Sequence, residues 1–240
     1  MQPLAPIPVN PCYAIIPAAG SSRRMGQHKL LLPWPARQPC LGFHSSADPS
    51  ADSHSSESPI ISTVIDRVLE AWTNSHVAET IVVIRRDDEE LRDACRRWPV
   101  TIVHPLEATE DMKGSVCVGL QLLKSREVSL VGTRCFIAPA DLPGLTSQVI
   151  DRLIATHSEA HKILIPRFGL SLEASTAGHP ALVPWELTGE IFRLGPQAGV
   201  DTLVKRHPQE FVLFPPELAV SDIDTPAEYQ AALKALKHPE

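Results

Sequence analysis

A run of small residues that also carries basic residues is the first feature of the sequence whose residue types suggest chemistry. Residues 18–29 have the sequence AAGSSRRMGQHK and follow an apolar segment, residues 13–18, that is typical of a buried strand. Glycine and serine let the backbone approach a ligand closely, so that its N–H groups can face phosphate oxygens. Arg24 suits bidentate contacts with phosphate, and Lys29 supplies a point charge. The run therefore predicts a phosphate-binding loop, with a plain turn and a solvated basic surface as the alternative.

Two aspartates lie next to predicted elements, where a carboxylate could serve a ligand. Asp141 follows the apolar residues 135–138, and Asp224 lies directly before a C-terminal helix pattern. An aspartate after a strand is more often a turn or N-cap residue, and Asp222 and Asp224 could simply cap the last helix, whose N-terminal end favours anions. The residue types alone leave both interpretations open.

Alternating strand and helix patterns must position these residues. Buried strands are predicted at residues 13–18, 80–84, 100–103, 135–138, 163–165 and 181–183. Helices are predicted from Ser58-Pro59 onward and at residues 87–98, 116–123, 149–154 and 226–236. Thr225 and Glu228 form the pattern of a capping box at the start of the last helix.

This alternation predicts an α/β fold with a three-layer, Rossmann-like and mostly parallel sheet. Ligands of such sheets bind at the carboxyl ends of the strands. Both the phosphate loop and Asp141 come directly after predicted strands, so we expect them at the same edge.

Composition limits the class of protein. The chain has 240 residues, of which 43% are hydrophobic and 21% charged, which suits a globular domain. A net charge of −6 without a basic stripe argues against a nucleic-acid partner. No apolar stretch approaches the roughly 18 residues of a membrane span, and the N-terminus lacks a signal-peptide pattern. Five scattered cysteines without a C-x-x-C pair favour reduced thiols and a cytoplasmic location.

The expected organisation is a flexible N-terminus at residues 1–12 and one domain at residues 13–237. Residues 35–57 are rich in Ser, Pro, Asp and His and cannot bury enough apolar surface to fold alone, so we predict a disordered surface insert there. Its two histidines, His44 and His54, fit a solvated loop better than a metal-binding tract.

The loop resembles the signature of the molybdenum cofactor nucleotidyltransferases, within the glycosyltransferase-A-like nucleotidyltransferase superfamily. That signature is a strand followed by A-[AG]-G-x-S-x-R-M-G, two residues, a lysine and an apolar run. The residues that match it are Gly20, Ser22, Arg24, Met25, Gly26 and Lys29. The resemblance implies a nucleotide-diphospho-sugar transferase type of fold and a loop that binds an NTP. The implied nucleotide-binding residues are Ala18, Ala19, Gly20, Ser21, Ser22, Arg24, Lys29 and Ser115.

The same resemblance assigns the carboxylates. The segment around Asp141 has the sequence ADLP and is similar to the family motif G-D-[MQ]-P, with alanine in place of glycine. Asp222 and Asp224 lie in DIDTP, which matches the start of the family motif D-I-D-T-P-E-D. The resemblance implies that Asp141 and Asp224 bind Mg²⁺, with Asp222 as the substitute. Mg²⁺ commonly uses one or two carboxylates together with substrate phosphates and water.

Smaller motifs bear on the substrates. Ala19 stands where guanylyl-transferring members carry a second glycine, so the loop resembles the cytidylyl-transferring members. His179, in GHPALV, resembles the G-H-P-[IV]-L-[FV] motif of molybdenum cofactor cytidylyltransferases, and is either a substrate contact or a structural histidine before a strand. Ser115 matches a family serine, although Asp111 replaces the glycine of that motif. The resemblance covers roughly residues 13–233, apart from the insert and residues 172–177.

The resemblance implies transfer of CMP from CTP to the phosphate of a molybdopterin, with release of pyrophosphate and with Mg²⁺ as cofactor. Arg24, Lys29 and Asp141 would be catalytic, and a molybdoenzyme could receive the product. Two alternatives remain: guanylyl or cytidylyl transfer to another phosphorylated acceptor, and a non-catalytic chaperone that binds molybdenum cofactor. Because Arg24, Lys29, Asp141 and Asp224 are all intact, the sequence favours an enzyme over the chaperone.

Overall fold

The structure is a computed structural model that describes residues 11–20, 25–35, 62–107, 109, 111–126 and 130–237. Three predicted loop residues, Ser21, Ser22 and Arg24, lie outside the described residues. Residues 1–10 and all but the first residue of the predicted insert, Pro35, also lie outside them.

The described chain forms ten strands. They are β1 (Cys12–Pro17), β2 (Pro33–Trp34), β3 (Ser62–Thr63), β4 (Glu79–Val83), β5 (Thr101–Val103), β6 (Arg134–Ile137), β7 (Ile163–Gly169), β8 (Ser175–Ala177), β9 (Ala181–Pro184) and β10 (Gln209–Phe214). The α-helices are α1 (Val64–Thr73), α2 (Glu89–Cys95), α3 (Met112–Lys124), α4 (Ser147–Ala155), α5 (Trp185–Thr188), α6 (Val200–Arg206) and α7 (Pro226–Lys237). Short 3-10 turns lie at Lys29–Leu31, Ile191–Arg193 and Pro216–Leu218.

The main sheet has the strand order β10-β7-β9-β6-β1-β4-β5, with β8 paired to β7. β1 pairs in parallel with both β4 and β6, β4 with β5, and β7 with β10. β9 runs antiparallel between β6 and β7, and β8 is antiparallel to β7. The α/β fold with a mostly parallel sheet is confirmed.

Helices cover both faces of this sheet, which explains why its central strands are apolar throughout. In β1, Ala14 and Ile16 pack into a core with α1, α2 and α4, whereas Ile15 packs into a second core with α3 and α6. All three side chains are fully buried. α3 lies close against β1, because a Cβ built on Gly119 would be only 2.7 Å from Ile15 Cγ2.

Ser58-Pro59, the predicted start of the first helix, lies outside the described residues, and the described chain enters that helix further along. Ser62 and Thr63 instead form β3, which pairs antiparallel with β2, and α1 begins at Val64. Thr63 is the N-cap: its hydroxyl accepts from the Asp66 N–H at 3.4 Å, and its own N–H donates to Asp66 Oδ2 at 3.0 Å. Strand pairing therefore moved the helix start to a capping box further along the chain.

The other predicted helices and strands are present in the structure, although their first and last residues differ from the prediction. α2 covers Glu89–Cys95 rather than residues 87–98, and it keeps Leu91 and Cys95 buried. The capping box of α7 is confirmed, since Thr225 N–H donates to Glu228 Oε2 at 2.8 Å and the Glu228 N–H donates back to Thr225 Oγ1 at 3.3 Å. β8, β10 and α6 were not predicted.

Candidate functional site

The phosphate loop and the predicted metal ligands meet at one edge of the sheet. β1 and β6 are adjacent and parallel, so the segments that follow them, leading to Lys29 and Asp141, leave the sheet side by side. The backbone N–H of Ile223 donates to the Asp141 carbonyl at 3.2 Å, which brings Asp224 to the same place. The fold thus unites three side chains that lie far apart in sequence.

Lys29 connects the two carboxylates directly. Its Nζ donates to Asp141 Oδ2 and, at 2.9 Å, to Asp224 Oδ1. The side chain of Asp141 is 11% exposed, that of Lys29 18% and that of Asp224 24%. Because solvent reaches these groups poorly, their charges interact more strongly than a surface ion pair would.

Burial destabilises the ionised form of Asp141. Desolvation is the largest influence and raises the pKa of Asp141, the nearby charge of Asp224 adds to the rise, and Lys29 opposes it without cancelling it. Burial would lower the pKa of Lys29, but the charges and hydrogen bonds of the two aspartates together raise it. The site therefore holds a lysine that stays charged and a carboxylate that lacks full stabilisation.

One carboxylate oxygen of Asp141 accepts no hydrogen bond from the described residues. Its Oδ1 is buried and has no hydrogen-bond partner among the described residues. An unsatisfied buried carboxylate oxygen is costly, and a cation ligated there would remove that cost. Within the described residues there is no cluster of three or more His, Cys, Asp and Glu side chains that could hold a metal alone. Asp141 and Asp224 fit a Mg²⁺ that takes its other ligands from phosphate and water.

The described part of the phosphate loop begins directly at the end of β1. Ala18 and Ala19 are buried, and the Ala18 N–H donates to the Val83 carbonyl of β4 at 2.8 Å. Gly20 is exposed, and no heavy atom of the described residues lies within 4 Å of a Cβ built on it. Gly26 has a φ of +65°, a left-handed conformation that favours glycine.

Ser115 lies in the first turn of α3, at the same edge of the sheet. It is four residues before Gly119, which packs on the middle of β1, and its hydroxyl lies 2.9 Å from Thr109 Oγ1. Asp111, the departure from the family motif, is the N-cap of α3 and accepts from the Gly114 N–H at 2.8 Å. Asp111 in place of the family glycine therefore caps the start of α3, the helix that carries Ser115.

His179 lies beside the carboxylates. It comes two residues before β9, whose Ala181 pairs with Ile137 at the end of β6, and the peptide bond between His179 and Pro180 is cis. The residue is exposed to solvent, yet desolvation by the surrounding protein lowers the pKa of its ring. Asp222 and Asp141 are near enough to oppose that shift.

Comparison with known families decides the class of this site. The family model described as the MobA-like NTP transferase domain matches residues 14–211. The chain belongs to this nucleotidyltransferase family. The matched region includes the loop, Asp141 and His179 and ends before Asp224.

Several solved structures share the fold of this chain. A nucleotidyl transferase from Methanothermobacter thermautotroptrophicus, Mth528, superposes with a TM-score of 0.69 at 19% identity, over 96% of this chain and 100% of that one. Rv0371c of Mycobacterium tuberculosis, in complex with manganese, gives 0.64 at 18% identity, over 94% and 100%. A CMP:2-keto-3-deoxy-manno-octonic acid synthetase complexed with CTP gives 0.67 at 11% identity, over 96% and 100%. A search of curated proteins found no match.

Sequence reasoning missed residues that hold the loop of this nucleotidyltransferase in place. His28 Nε2 lies 2.8 Å from Asp88 Oδ2, which ties the loop to the N-terminus of α2. Tyr229 of α7 donates from its hydroxyl to the Pro33 carbonyl, and its ring lies 6.1 Å from that of Trp34. No pattern marks these pairs, although His28 directly precedes Lys29.

None of the helices in the described part of the chain has the length and apolar character that crossing a bilayer requires.

Proposed function

We propose that this nucleotidyltransferase transfers CMP from CTP to the phosphate of a molybdopterin and uses Mg²⁺ to do so. The observation that carries the proposal is the group of Lys29, Asp141 and Asp224, in which a buried Asp141 oxygen awaits a cation. The A-A-G sequence of the loop, with Ala19 buried at its base, supports CTP as the nucleotide. The G-H-P motif at His179 supports a molybdopterin acceptor.

The proposed reaction is an in-line displacement at the α-phosphorus. An oxygen of the acceptor phosphate forms the new P–O bond, the bond to the bridging α–β oxygen breaks, and pyrophosphate leaves. The attacking oxygen is already anionic, so no side chain has to remove a proton. Positioning and charge neutralisation are then the main tasks of the protein.

Each residue has a defined task in this scheme. Lys29 and Arg24 neutralise charge on the triphosphate and on the departing pyrophosphate, and Asp141 and Asp224 hold Mg²⁺. When bound, Mg²⁺ supplies charge neutralisation and orientation of phosphate oxygens. The manganese complex of Rv0371c, a protein with the same fold, supports the use of a divalent cation.

His179 is proposed as an acceptor contact. It is exposed near Asp222 and Asp141, and it precedes β9, which pairs with β6 on the side away from β1. A ring there can donate a hydrogen bond to the acceptor without competing with the triphosphate for Lys29. The lowered pKa keeps the ring neutral at physiological pH, so we assign it a hydrogen-bonding role rather than a charged one.

The test is release of pyrophosphate by the purified full chain with Mg²⁺ and molybdenum-loaded molybdopterin, with CTP and GTP offered separately. Release with CTP alone supports the proposal. Release with GTP alone contradicts the interpretation of Ala19 but keeps the metal site. Binding of molybdopterin without release of pyrophosphate from either nucleotide supports the chaperone alternative.

A second candidate keeps CTP and changes the acceptor to a different phosphorylated or acidic small molecule. The CTP complex of the synthetase with the same fold favours it, because that fold serves cytidylyl transfer to a sugar acid there. Offering a panel of sugar and alditol phosphates with CTP and Mg²⁺ separates the two candidates. Turnover with a panel member at a higher kcat/KM than with molybdopterin supports the second.

A further inference from the structure

In this structure Lys29 contacts two carboxylates, whereas the proposed reaction needs it at the triphosphate. An ammonium group has three N–H donors, and Lys29 directs one to Asp141 Oδ2 and one to Asp224 Oδ1. The proposed function, on which this inference rests, requires the same ammonium at the triphosphate. It also requires the two carboxylates that Lys29 contacts as ligands of a divalent cation, with Asp141 Oδ1 open to that cation.

The charge of Lys29 opposes binding of a divalent cation at Asp141 and Asp224. A cation bound between the two carboxylates would lie beside the Lys29 ammonium, which repels it. The pair of carboxylates with Lys29 carries a net charge of −1, half of what the pair would offer alone. A divalent cation that arrives by itself therefore meets a weaker field and the repulsion of Lys29.

A nucleotide changes this balance. Its triphosphate carries more negative charge than the two carboxylates, and the phosphate loop that would bind it leads directly to Lys29. Once Lys29 moves to the phosphates, its charge no longer offsets the charge of the two carboxylates, and Asp141 Oδ1 has no hydrogen-bond partner in the part of the chain that the structure describes.

We propose that Lys29 is the resident counter-ion of the Asp141–Asp224 pair and excludes a divalent cation until a nucleotide triphosphate draws it away. Metal and nucleotide then bind with positive coupling, and the free enzyme binds metal weakly. By linkage, the same coupling makes the metal favour nucleotide binding.

The first test measures binding of Mn²⁺ alone to the full chain, by electron paramagnetic resonance at about pH 7.5 without nucleotide. Lys29→Met should bind Mn²⁺ at least about tenfold more tightly than wild type, because the competing charge is gone. Lys29→Gln should behave alike, and its amide can still hydrogen-bond to the aspartates and support the fold. Lys205→Met removes a lysine from a surface ion pair with Asp201 and should leave Mn²⁺ affinity unchanged.

A second test uses the wild-type chain and does not depend on the variants folding. Reductive methylation followed by mass spectrometry reports how fast the Lys29 amine reacts. Saturating Mn²⁺ should speed this reaction several-fold, since the displaced amine is no longer shielded between Asp141 and Asp224. The reaction of Lys205 should not change.

The outcomes separate this inference from the proposed function. Equal or weaker Mn²⁺ binding by folded Lys29→Met and Lys29→Gln overturns the exchange, as does unchanged labelling of Lys29 at saturating Mn²⁺. Pyrophosphate release by wild type would then still support the nucleotidyltransferase. Tighter Mn²⁺ binding by the variants, without pyrophosphate release by wild type on any acceptor, supports the exchange and contradicts the proposed reaction.

Discussion

Two partly buried aspartates in this molecule have opposite environments. Asp66, in the first turn of α1, accepts hydrogen bonds at both carboxylate oxygens: Oδ1 from Trp98 Nε1 at 2.9 Å and from Arg97 at 2.9 Å, Oδ2 from the N–H of Thr63 at 3.0 Å and its hydroxyl at 2.7 Å. Asp141 is partnered at one oxygen, and the other has no partner among the described residues.

Their pKa values differ accordingly. Desolvation is the largest influence on Asp66 and acts to raise its pKa, but its hydrogen bonds together lower it below the ordinary value. Desolvation also dominates at Asp141, and there the pKa is raised. Both oxygens of Asp66 are hydrogen-bonded, as expected of a carboxylate that stabilises the fold, whereas the unpartnered oxygen of Asp141 fits its proposed role as a cation ligand.

The largest effect is expected for Asp141→Asn. Turnover should fall roughly a thousandfold, because the proposed cation ligand is lost. Stability should stay unchanged or rise slightly, since a poorly solvated charge is removed. Pyrophosphate release and urea unfolding measure the two quantities. Turnover near that of wild type would contradict the assignment of Asp141, and Asp201→Asn on the surface is the control.

Asp66→Asn should show the reverse pattern. The variant loses charge-assisted hydrogen bonds and weakens the capping box, so the free energy of unfolding should fall by about 2 kcal/mol. Turnover per folded molecule should stay within about twofold of wild type. A collapse of turnover in a stable variant would show that the comparison between Asp66 and Asp141 is wrong.

The pH dependence of stability should also show that ionised Asp66 stabilises the fold. Because the pKa of Asp66 is lowered on folding, its contribution is fully present above its ordinary value of 3.8 and is lost as pH falls through the folded pKa. The stability difference between wild type and Asp66→Asn should therefore shrink below pH 3.8. Urea unfolding at several values between about pH 3 and pH 7 measures it. A difference that is constant over this range would contradict the assignment.

The smallest effect is expected for Tyr229→Phe, which removes the hydrogen bond from α7 to Pro33 but keeps the ring against Trp34. Loss of a single hydrogen bond should cost about 1 kcal/mol of stability. Turnover should fall only a few-fold, since the bond helps to set the distance between Lys29 and Asp224. If Tyr229→Phe lost more turnover than Asp141→Asn, the assignment of Asp141 as the main contributor to turnover would be contradicted.

Much of the fold could be predicted from the sequence because the central strands are buried on both faces. Residues 13–18, 80–84 and 135–138 are continuous apolar runs, and each matches a strand to within one residue. β10 was not predicted, although its residues 211–214 are apolar. Its outer position in the sheet leaves Phe211 exposed and Gln209 and Glu210 only partly covered.

The site was only partly accessible from sequence. Spacing within one segment marked the loop and Lys29, since the motif depends on neighbours along the chain. The roles of Arg24, Ser21 and Ser22 stay predictions, as these residues lie outside the described part of the chain. The pairing of His28 with Asp88 joins segments 60 residues apart, and no local pattern encodes such a contact.

By itself the sequence determined which residues could do the chemistry: a loop with Lys29, an aspartate after a strand, and an aspartate before the last helix. Only the tertiary structure decided that Lys29 lies between Asp141 and Asp224, which are 112 and 195 residues away from it. The physical reason is that local propensity fixes strands and caps, whereas the meeting of distant charges depends on which strands become neighbours in the sheet and how solvent is excluded between them.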